Sequence, residues 1–234
     1  MFVPLSVQDH LERAVTVYGD RIGVVDEPMQ PADSLGELTY RRVAELADAQ
    51  AAALDGLGVG VGDRVAIVSQ NAARLLVSFF GVCGSGRVLV PVNFRLNRSE
   101  VEYIVAHSGA SVVLVDPELE DSLAGLDVKH QLVLGRDDDQ IFREGVVPAR
   151  WEPDESATAT INYTSGTTAR PKGVQITHRN IWINAATFGW HAGVDDRDVY
   201  LHTLPMFHAN GWGMPFAVTG MPQPLAWNMG RVCR

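Results

Sequence analysis

The sequence predicts an α/β fold in which layered, mostly parallel sheets are flanked by helices. From residue 64 onward, short apolar runs alternate with helix-like segments at the spacing of βαβ units. One run, at residues 65–68, is wholly apolar, as in strands that a parallel sheet buries on both faces. Helix-start signals separate the runs, such as the capping box from Asn97 to Glu100.

The composition is that of a globular chain. Its 234 residues are 46% hydrophobic, enough for one large domain or two small ones. A net charge of −9 with no basic stripe predicts no nucleic-acid partner. The apolar run at 75–83 falls short of the roughly 18 residues that span a bilayer, so no transmembrane segment is expected. Peripheral membrane contact and the oligomeric state stay open.

The two cysteines, Cys83 and Cys233, form neither a disulfide framework nor a metal-binding spacing. We therefore expect a reducing, cytoplasmic location, and the amino end has no basic and apolar signal-peptide pattern. Cys83 lies in an apolar helical segment with no basic neighbour within a turn, which favours a role in the core over a nucleophile.

Before residue 64 the pattern predicts two helices and one strand. Ser6 is placed to cap the first helix, which Gly19 ends, and the apolar run at 22–25 predicts a strand. Thr39 is placed to cap the second helix. The glycine-rich segment 58–62 follows a helix and precedes a strand, the reverse of a dinucleotide-binding fingerprint, so it predicts a turn.

The alternating part continues to residue 134. Residues 135–156, rich in Asp, Glu and Pro, predict a surface connection and a candidate subdomain boundary. A strand at 158–163 follows, and a helix begins near Thr177 and His178; we interpret His178 as a cap or surface residue rather than a catalytic one. The predicted strands of the alternating part are 64–69, 88–92, 111–115 and 131–134, with helices at 71–86, 97–107 and after Pro117.

A stretch rich in hydroxyl groups lies between the predicted strand at 158–163 and the predicted helix that begins near Thr177. It runs from Tyr163 to Val174, and its composition suits a loop whose donors converge on an anion, with phosphate the obvious candidate. A solvated Ser/Thr/Gly turn is the alternative. Lysine usage favours the anion site, because of 19 basic residues only Lys129 and Lys172 are lysines. The candidate phosphate-binding residues are Thr164, Ser165, Gly166, Thr167, Thr168 and Lys172.

Read as Y-T-S-G-T-T-x-x-P-K-G, the stretch resembles the phosphate-binding signature of the adenylate-forming superfamily, the AMP-dependent synthetases and ligases. That superfamily includes acyl-CoA synthetases, luciferases and nonribosomal-peptide adenylation domains. The resemblance implies the large N-terminal domain of such an enzyme, incomplete here. One departure is Ala169, where the family usually has glycine. If the backbone there is left-handed, a Cβ costs roughly 1–2 kcal/mol, so we expect a looser or reshaped grip.

A second motif follows at 205–211, where P-M-F-H-x-x-G resembles the second core motif of acyl-CoA synthetases, and the next residue, Trp212, resembles the fatty-acyl members. The resemblance implies that His208 borders the carboxylate and the adenylate, with Gly211, and that Trp212 flanks the acyl tunnel. The alternative interpretation is that the aromatic and apolar residues of 207–216 are ordinary core residues at a helix start.

The resemblance also implies a reaction. A carboxylic acid and ATP give an acyl-adenylate and pyrophosphate, and coenzyme A then forms the thioester. Lys172 and His208 are the implied catalytic residues, and Lys172, the loop donors and Mg²⁺ would neutralise the polyphosphate. Thr164 is the candidate metal contact. A fatty acid is the favoured substrate; an aryl or short acid, and a non-catalytic nucleotide- or acyl-binding remnant, are the alternatives.

Several parts of the family pattern are missing from the chain. It lacks the Tyr-Gly-x-Thr-Glu and Thr-Gly-Asp segments, the hinge and the small carboxyl-terminal domain with its adenylation lysine. We therefore expect residues 1–221 to be a partial adenylation domain that is inactive by itself. Residues 222–234 show neither strand alternation nor helical periodicity, and we expect a reading-frame change near residue 221. Translation of the downstream nucleotides in all three frames tests it.

Overall fold

The computed structural model describes residues 3–164 and 170–221 and the backbone of residues 225–227. Within these, helices surround a six-stranded and a four-stranded sheet. The strands are β1 Ile22–Val25, β2 Glu37–Thr39, β3 Arg64–Val68, β4 Val88–Val92, β5 Ala110–Val115, β6 His130–Val133, β7 Thr158–Thr164, β8 Lys172–Thr177, β9 Tyr200–His202 and β10 Leu225–Trp227. The helices are α1 Gln8–Tyr18, α2 Tyr40–Gly56, α3 Ala73–Gly81, α4 Arg98–Ser108, α5 Glu120–Leu123, α6 Asp138–Ile141, α7 His178–Ala192, α8 Ala209–Trp212 and α9 Met214–Gly220.

The six-stranded sheet has the order β6-β5-β3-β4-β7-β8. All of its neighbours pair in parallel except β7 and β8. Successive residues of β3 point to opposite faces. Val65 and Ile67 enter the core that contains apolar residues of α2 and α3, whereas Ala66 and Val68 enter the core that contains those of α4. The predicted parallel sheet with helices on both faces is confirmed.

The four-stranded sheet, β2-β1-β10-β9, brings together strands from the two ends of the chain. β10 lies between β1 and β9 and is parallel to both. The sequence pattern predicted neither β2 nor β10, and residues 222–234 show no strand alternation. Each of these strands has three residues, and in such short segments the pairing partner decides the conformation more than the local pattern does.

Local signals placed two of the three predicted N-caps at the correct residue. The Thr39 hydroxyl accepts a hydrogen bond from the Arg42 amide, and Asn97 forms the full capping box with Glu100. Ser6 lies one residue before the N-cap of α1, and its hydroxyl donates to Asp9 instead (3.0 Å).

The sequence predicted that the stretch rich in hydroxyl groups leads from a strand into a helix, but in the structure a further strand comes first. Lys172 begins β8, which pairs antiparallel with β7, so the stretch connects the two strands of a hairpin. α7 begins only after β8, and Thr177 caps it. His178, expected at a cap or the surface, is fully buried, because its ring packs 4.9 Å from that of Trp151.

Cys83 fills the core, as predicted. Its thiol is fully buried and donates to the Ala159 carbonyl (3.1 Å), and burial raises its pKa to about 12. A thiol with so high a pKa is protonated at neutral pH and is therefore a poor nucleophile.

Residues 142–157, all described, lie outside helices and strands and connect α6 to β7. The Arg143 amide donates to Ala49 (2.9 Å) and the Ala149 amide to Asp55 (2.7 Å), so the connection lies along α2. Beyond it, β7 pairs with β4, and both sides of the connection contribute to one sheet. No helix in the described part of the chain has the length and apolar character needed to cross a membrane.

Candidate functional site

The candidate site lies at the carboxyl ends of three neighbouring parallel strands, β3, β4 and β7. Ligands of open α/β sheets bind at such an edge. Asn71, after β3, donates to the Leu204 carbonyl (2.8 Å) and accepts from the Met206 amide (2.9 Å). Phe94, after β4, packs edge-on against Phe207 with ring centroids 5.8 Å apart. Residues 202–213 are thus fixed across the ends of these strands.

The end of the β7–β8 hairpin presents the two described members of the phosphate-binding candidates. Thr164 and Lys172 are paired directly opposite each other, and both are exposed. Directly paired residues point to the same face, with Cβ atoms about 4.5–5.5 Å apart, so a hydroxyl and an ammonium group approach one point. The other candidates, Ser165, Gly166, Thr167 and Thr168, lie outside the described residues, as does Ala169.

Helix α4 supports both strands of this hairpin. The Tyr103 hydroxyl donates to the Pro171 carbonyl (3.2 Å), and the Tyr163 hydroxyl lies 2.8 Å from His107 Nδ1. Tyr103 and His107 are four residues apart on one face of α4 and stack with ring centroids 5.3 Å apart. Burial raises the pKa of Tyr163, so its hydroxyl remains protonated for this contact. Thr164 and Lys172 therefore each directly follow a residue that α4 holds in place, Tyr163 and Pro171 respectively.

The second motif forms an unusual turn at residues 209–213. All five residues have positive φ, including the non-glycine residues Ala209 (46°), Asn210 (51°) and Trp212 (62°). A Cβ on Gly211 would lie 2.6 Å from the His202 ring, so glycine is required there. Left-handed backbone costs a non-glycine residue roughly 1–2 kcal/mol, and α8 is held in this form by its surroundings.

A cavity of about 520 Å³ lies between α7 and this turn. Trp212, 58% exposed, lines it. His208 is exposed just before the turn, and Gly211 is buried against His202; neither is among the residues that line the cavity. The lining is mostly apolar with three asparagine amides, and consists of Ile176, Asn180, Ile181, Asn184, Phe188, Ala209, Asn210, Trp212, Gly213 and Phe216.

Sequence reasoning missed the asparagines that assemble the site, Asn71, Asn162 and Asn210. Asn162 lies in β7 and donates to Asn210 in the turn (3.0 Å), which joins the two motifs. One signal was present: along 158–164, every second residue is polar, although the strand lies between β4 and β8 in the sheet. A polar face on an interior strand indicates side chains that bind something within the protein.

Comparison with known proteins gives matches over most of the chain. A family model described as AMP-binding enzyme matches residues 11–221. The chain is 34% identical over 232 residues to 4-hydroxybutyrate–CoA ligase 2 of Metallosphaera sedula. This alignment covers 90% of this chain and 41% of the relative. It is also 34% identical over 227 residues to the long-chain-fatty-acid–CoA ligase of Thermus thermophilus, in an alignment that covers 92% of this chain and 41% of that relative.

A solved structure with the same fold is the inhibitor-bound N-terminal domain of FACL13 from Mycobacterium tuberculosis. Its TM-score is 0.84 at 28% identity, and the match covers 95% of this chain and 57% of that one. The chain spans about two fifths of the length of the curated relatives it matches.

Proposed function

This chain belongs to the AMP-binding enzyme family, and from that premise we propose that it is the part of an acyl-CoA synthetase that binds the polyphosphate of ATP and borders the carboxylate being activated. The observation that carries the proposal is the pairing of exposed Thr164 with exposed Lys172 at the end of the hairpin, on the sheet edge that also holds residues 202–213.

The proposed chemistry makes a carboxylate into an acyl donor. A carboxylate oxygen attacks the α-phosphorus of ATP, the bond to pyrophosphate breaks, and the acyl-adenylate forms; the thiol of coenzyme A then displaces AMP. Negative charge develops on the departing pyrophosphate. The Lys172 ammonium group and the hydroxyls of Thr164, Ser165, Thr167 and Thr168, with the backbone at Gly166, would stabilise that charge. His208 and Gly211 would border the reacting carboxylate.

The donor set suits a Mg²⁺ ion that arrives with the nucleotide. Among the described residues, no group of three or more His, Cys, Asp or Glu side chains could hold a metal ion. Mg²⁺ commonly takes phosphate oxygens and waters with only one or two protein ligands. The exposed Thr164 hydroxyl would contact the ion or its waters, and the ion would neutralise charge on the polyphosphate when bound.

We propose a fatty acid as the carboxylic acid. Support comes from the cavity beside the turn, where Ile181, Phe188, Trp212 and Phe216 present apolar surface. The names of the relatives range from 4-hydroxybutyrate to long-chain fatty acids, so an aryl or short acid is the second candidate. We also propose a reducing, cytoplasmic location, which the buried free thiol of Cys83 supports.

Nucleotide titration tests the phosphate grip. Lys172→Ala is expected to weaken ATP binding by about 10- to 100-fold, since hydrogen bonds to charged groups contribute about 1.5–3 kcal/mol. The matched control is Lys129→Ala, because Lys129 is the other lysine, is exposed, and donates to the Leu57 carbonyl (3.4 Å). Isothermal titration calorimetry measures both. Equal ATP affinity in the two variants would contradict the proposal.

Activity is tested separately. Because the chain spans 41% of its relatives, we propose that it binds nucleotide without completing adenylation. ATP–pyrophosphate exchange, run with saturated acids from two to sixteen carbons and with benzoate, should not exceed the enzyme-free blank. Exchange with any acid would refute the proposed inactivity and would identify the substrate class. ATP binding without exchange supports the proposal.

A further inference from the structure

A closed ring of three hydrogen bonds joins β7 to the turn at 209–213. The Thr160 hydroxyl donates to Asn162 Oδ1 (3.1 Å), Asn162 Nδ2 donates to Asn210 Oδ1 (3.0 Å), and Asn210 Nδ2 donates to Thr160 Oγ1 (2.9 Å). Within the ring, each side chain donates one hydrogen bond and accepts one. Two of its members lie in β7, just before the first motif, and the third lies in the second motif, 48 and 50 residues further along the sequence.

The ring is almost completely removed from solvent. Thr160, Asn162 and Asn210 are 0%, 4% and 3% exposed. Buried polar groups that lose their partner are strongly disfavoured, and removal of one member would break two of the three bonds and leave each of the other two members with one unpaired group. Asn162 also donates to the Phe207 carbonyl (3.4 Å). The ring thus holds the chain on both sides of His208, at Phe207 and at Asn210.

The ring lies on the same strand face as the phosphate-binding threonine. Alternate residues of a strand share a face, so Thr160, Asn162 and Thr164 point to the same side of β7. Asn162 is two residues from Thr164. A ligand that fixes the end of β7 therefore fixes a side chain that is bonded directly to the turn.

We propose that Thr160, Asn162 and Asn210 are positioning residues that couple nucleotide binding at the end of β7 to the conformation of the turn at 209–213, beside the acyl cavity. The inference rests on the proposed function, since it requires ATP at the hairpin. Coupling between two sites is reciprocal, so ATP and the acid each strengthen binding of the other through this ring. Neither ring asparagine is proposed to contact the reacting atoms; both act through the backbone they hold.

Asn210 has a competing explanation. Asparagine tolerates positive φ better than most residues, so it could be present only for its backbone angle of 51°. The substitution Asn210→Gly separates the two roles. Glycine adopts this conformation freely but has no amide, so a backbone role predicts no effect, whereas a role in the ring predicts loss of coupling.

The test is hydrogen–deuterium exchange of the full chain with and without ATP. In the wild-type protein, ATP should slow exchange both in β7–β8 and in residues 206–214. In Thr160→Val and Asn210→Gly, the slowing in 206–214 should fall by at least half, while that in β7–β8 persists. Thr160→Ser keeps the hydroxyl and should restore it. Thr219→Val is the matched control, since Thr219 is equally buried but donates within α9, to Pro215 (2.7 Å).

The outcomes separate the two proposals. If ATP protects β7–β8 but not 206–214 in the wild-type protein, or if Asn210→Gly retains full protection there, the coupling is wrong and the phosphate grip stands. If ATP protects neither segment and Lys172→Ala changes nothing, both proposals fail. Should Thr160→Val not fold, as judged by circular dichroism, Asn210→Gly and Thr160→Ser decide the question.

Discussion

Strand β3 and the turn at 209–213 show opposite relations between local preference and tertiary structure. The β3 residues 65–68 are apolar and at most 1% exposed, and Val65, Ile67 and Val68 are β-branched residues that favour extended backbone. In the turn, Ala209, Asn210 and Trp212 adopt a backbone conformation that they disfavour, and Trp212 is 58% exposed. Local preference and packing agree in β3 and conflict in the turn.

The difference shows where stability and function lie. β3 is stabilised by its own side chains and by ladders to β4 and β5 on either side. The turn depends on other segments: the His202 ring lies against Gly211, and Asn162 holds Asn210. Strained backbone persists only where its surroundings determine it, and such positions cluster at functional sites. Packing of the sheet stabilises the fold, and this stability offsets the backbone strain of the turn.

Acidification should have the largest effect on the free energy of unfolding, and the groups responsible lie outside the six-stranded sheet. Burial lowers the pKa of His10, His178 and His202 to about 4, and these residues lie in α1, α7 and β9, not in the strands of the parallel sheet. The unfolded chain, with histidine pKa near 6.5, binds more protons between pH 6.5 and 4. The free energy of unfolding therefore falls as pH drops through this window, by up to about 3 kcal/mol per histidine.

Urea unfolding at pH 7, 6, 5 and 4.5 measures this dependence. His178→Asn keeps an acceptor for the Val7 amide, which donates to His178 Nδ1 (3.3 Å), and removes one titrating group. Its stability should depend less steeply on pH, by up to about 1.4 kcal/mol per pH unit. Identical slopes in the variant and the wild-type protein would show that His178 is not the titrating group.

Ile67→Ala should be the most damaging single substitution considered in β3. Truncating a fully enclosed isoleucine leaves a cavity, and we expect a loss of about 2–5 kcal/mol in the free energy of unfolding, against about 0.5–1.5 kcal/mol for Ile67→Val. Urea unfolding measures both. ATP affinity of the folded fraction should be unchanged, because Ile67 lies in the core and not at the strand ends. A loss below 1 kcal/mol in the alanine variant would contradict the view that β3 carries the stability.

The smallest effect separates the two regions by its sign. Ala209→Gly removes a left-handed cost of about 1–2 kcal/mol and loses about 0.5–1 kcal/mol through the greater conformational entropy of the unfolded chain, so stability should rise by up to about 1.5 kcal/mol. Ala66→Gly, in β3, relieves no strain and should lower stability by at least about 0.5 kcal/mol. Thermal unfolding of the two variants gives the comparison. A loss in both would mean that the turn is not strained at Ala209.

Local sequence signals determined much of this protein. The strand at Ile22–Val25 was predicted at its observed bounds, the parallel order from residue 64 followed from alternation, and Thr39 and Asn97 act as caps because capping involves residues three apart. The family followed from a contiguous motif, and the match over residues 11–221 confirms it. Each of these features depends on neighbouring residues, which a sequence pattern can record.

Only the tertiary structure decided the rest. β2 and β10 are strands because each pairs with β1. The pairing of β8 with β7 makes the first motif part of a hairpin, and His178 is buried with its ring packed against Trp151. The ring of Thr160, Asn162 and Asn210 spans about 50 residues of sequence. No local pattern specifies which distant side chain will meet a buried amide, since that is fixed only when the strands and the turn pack together.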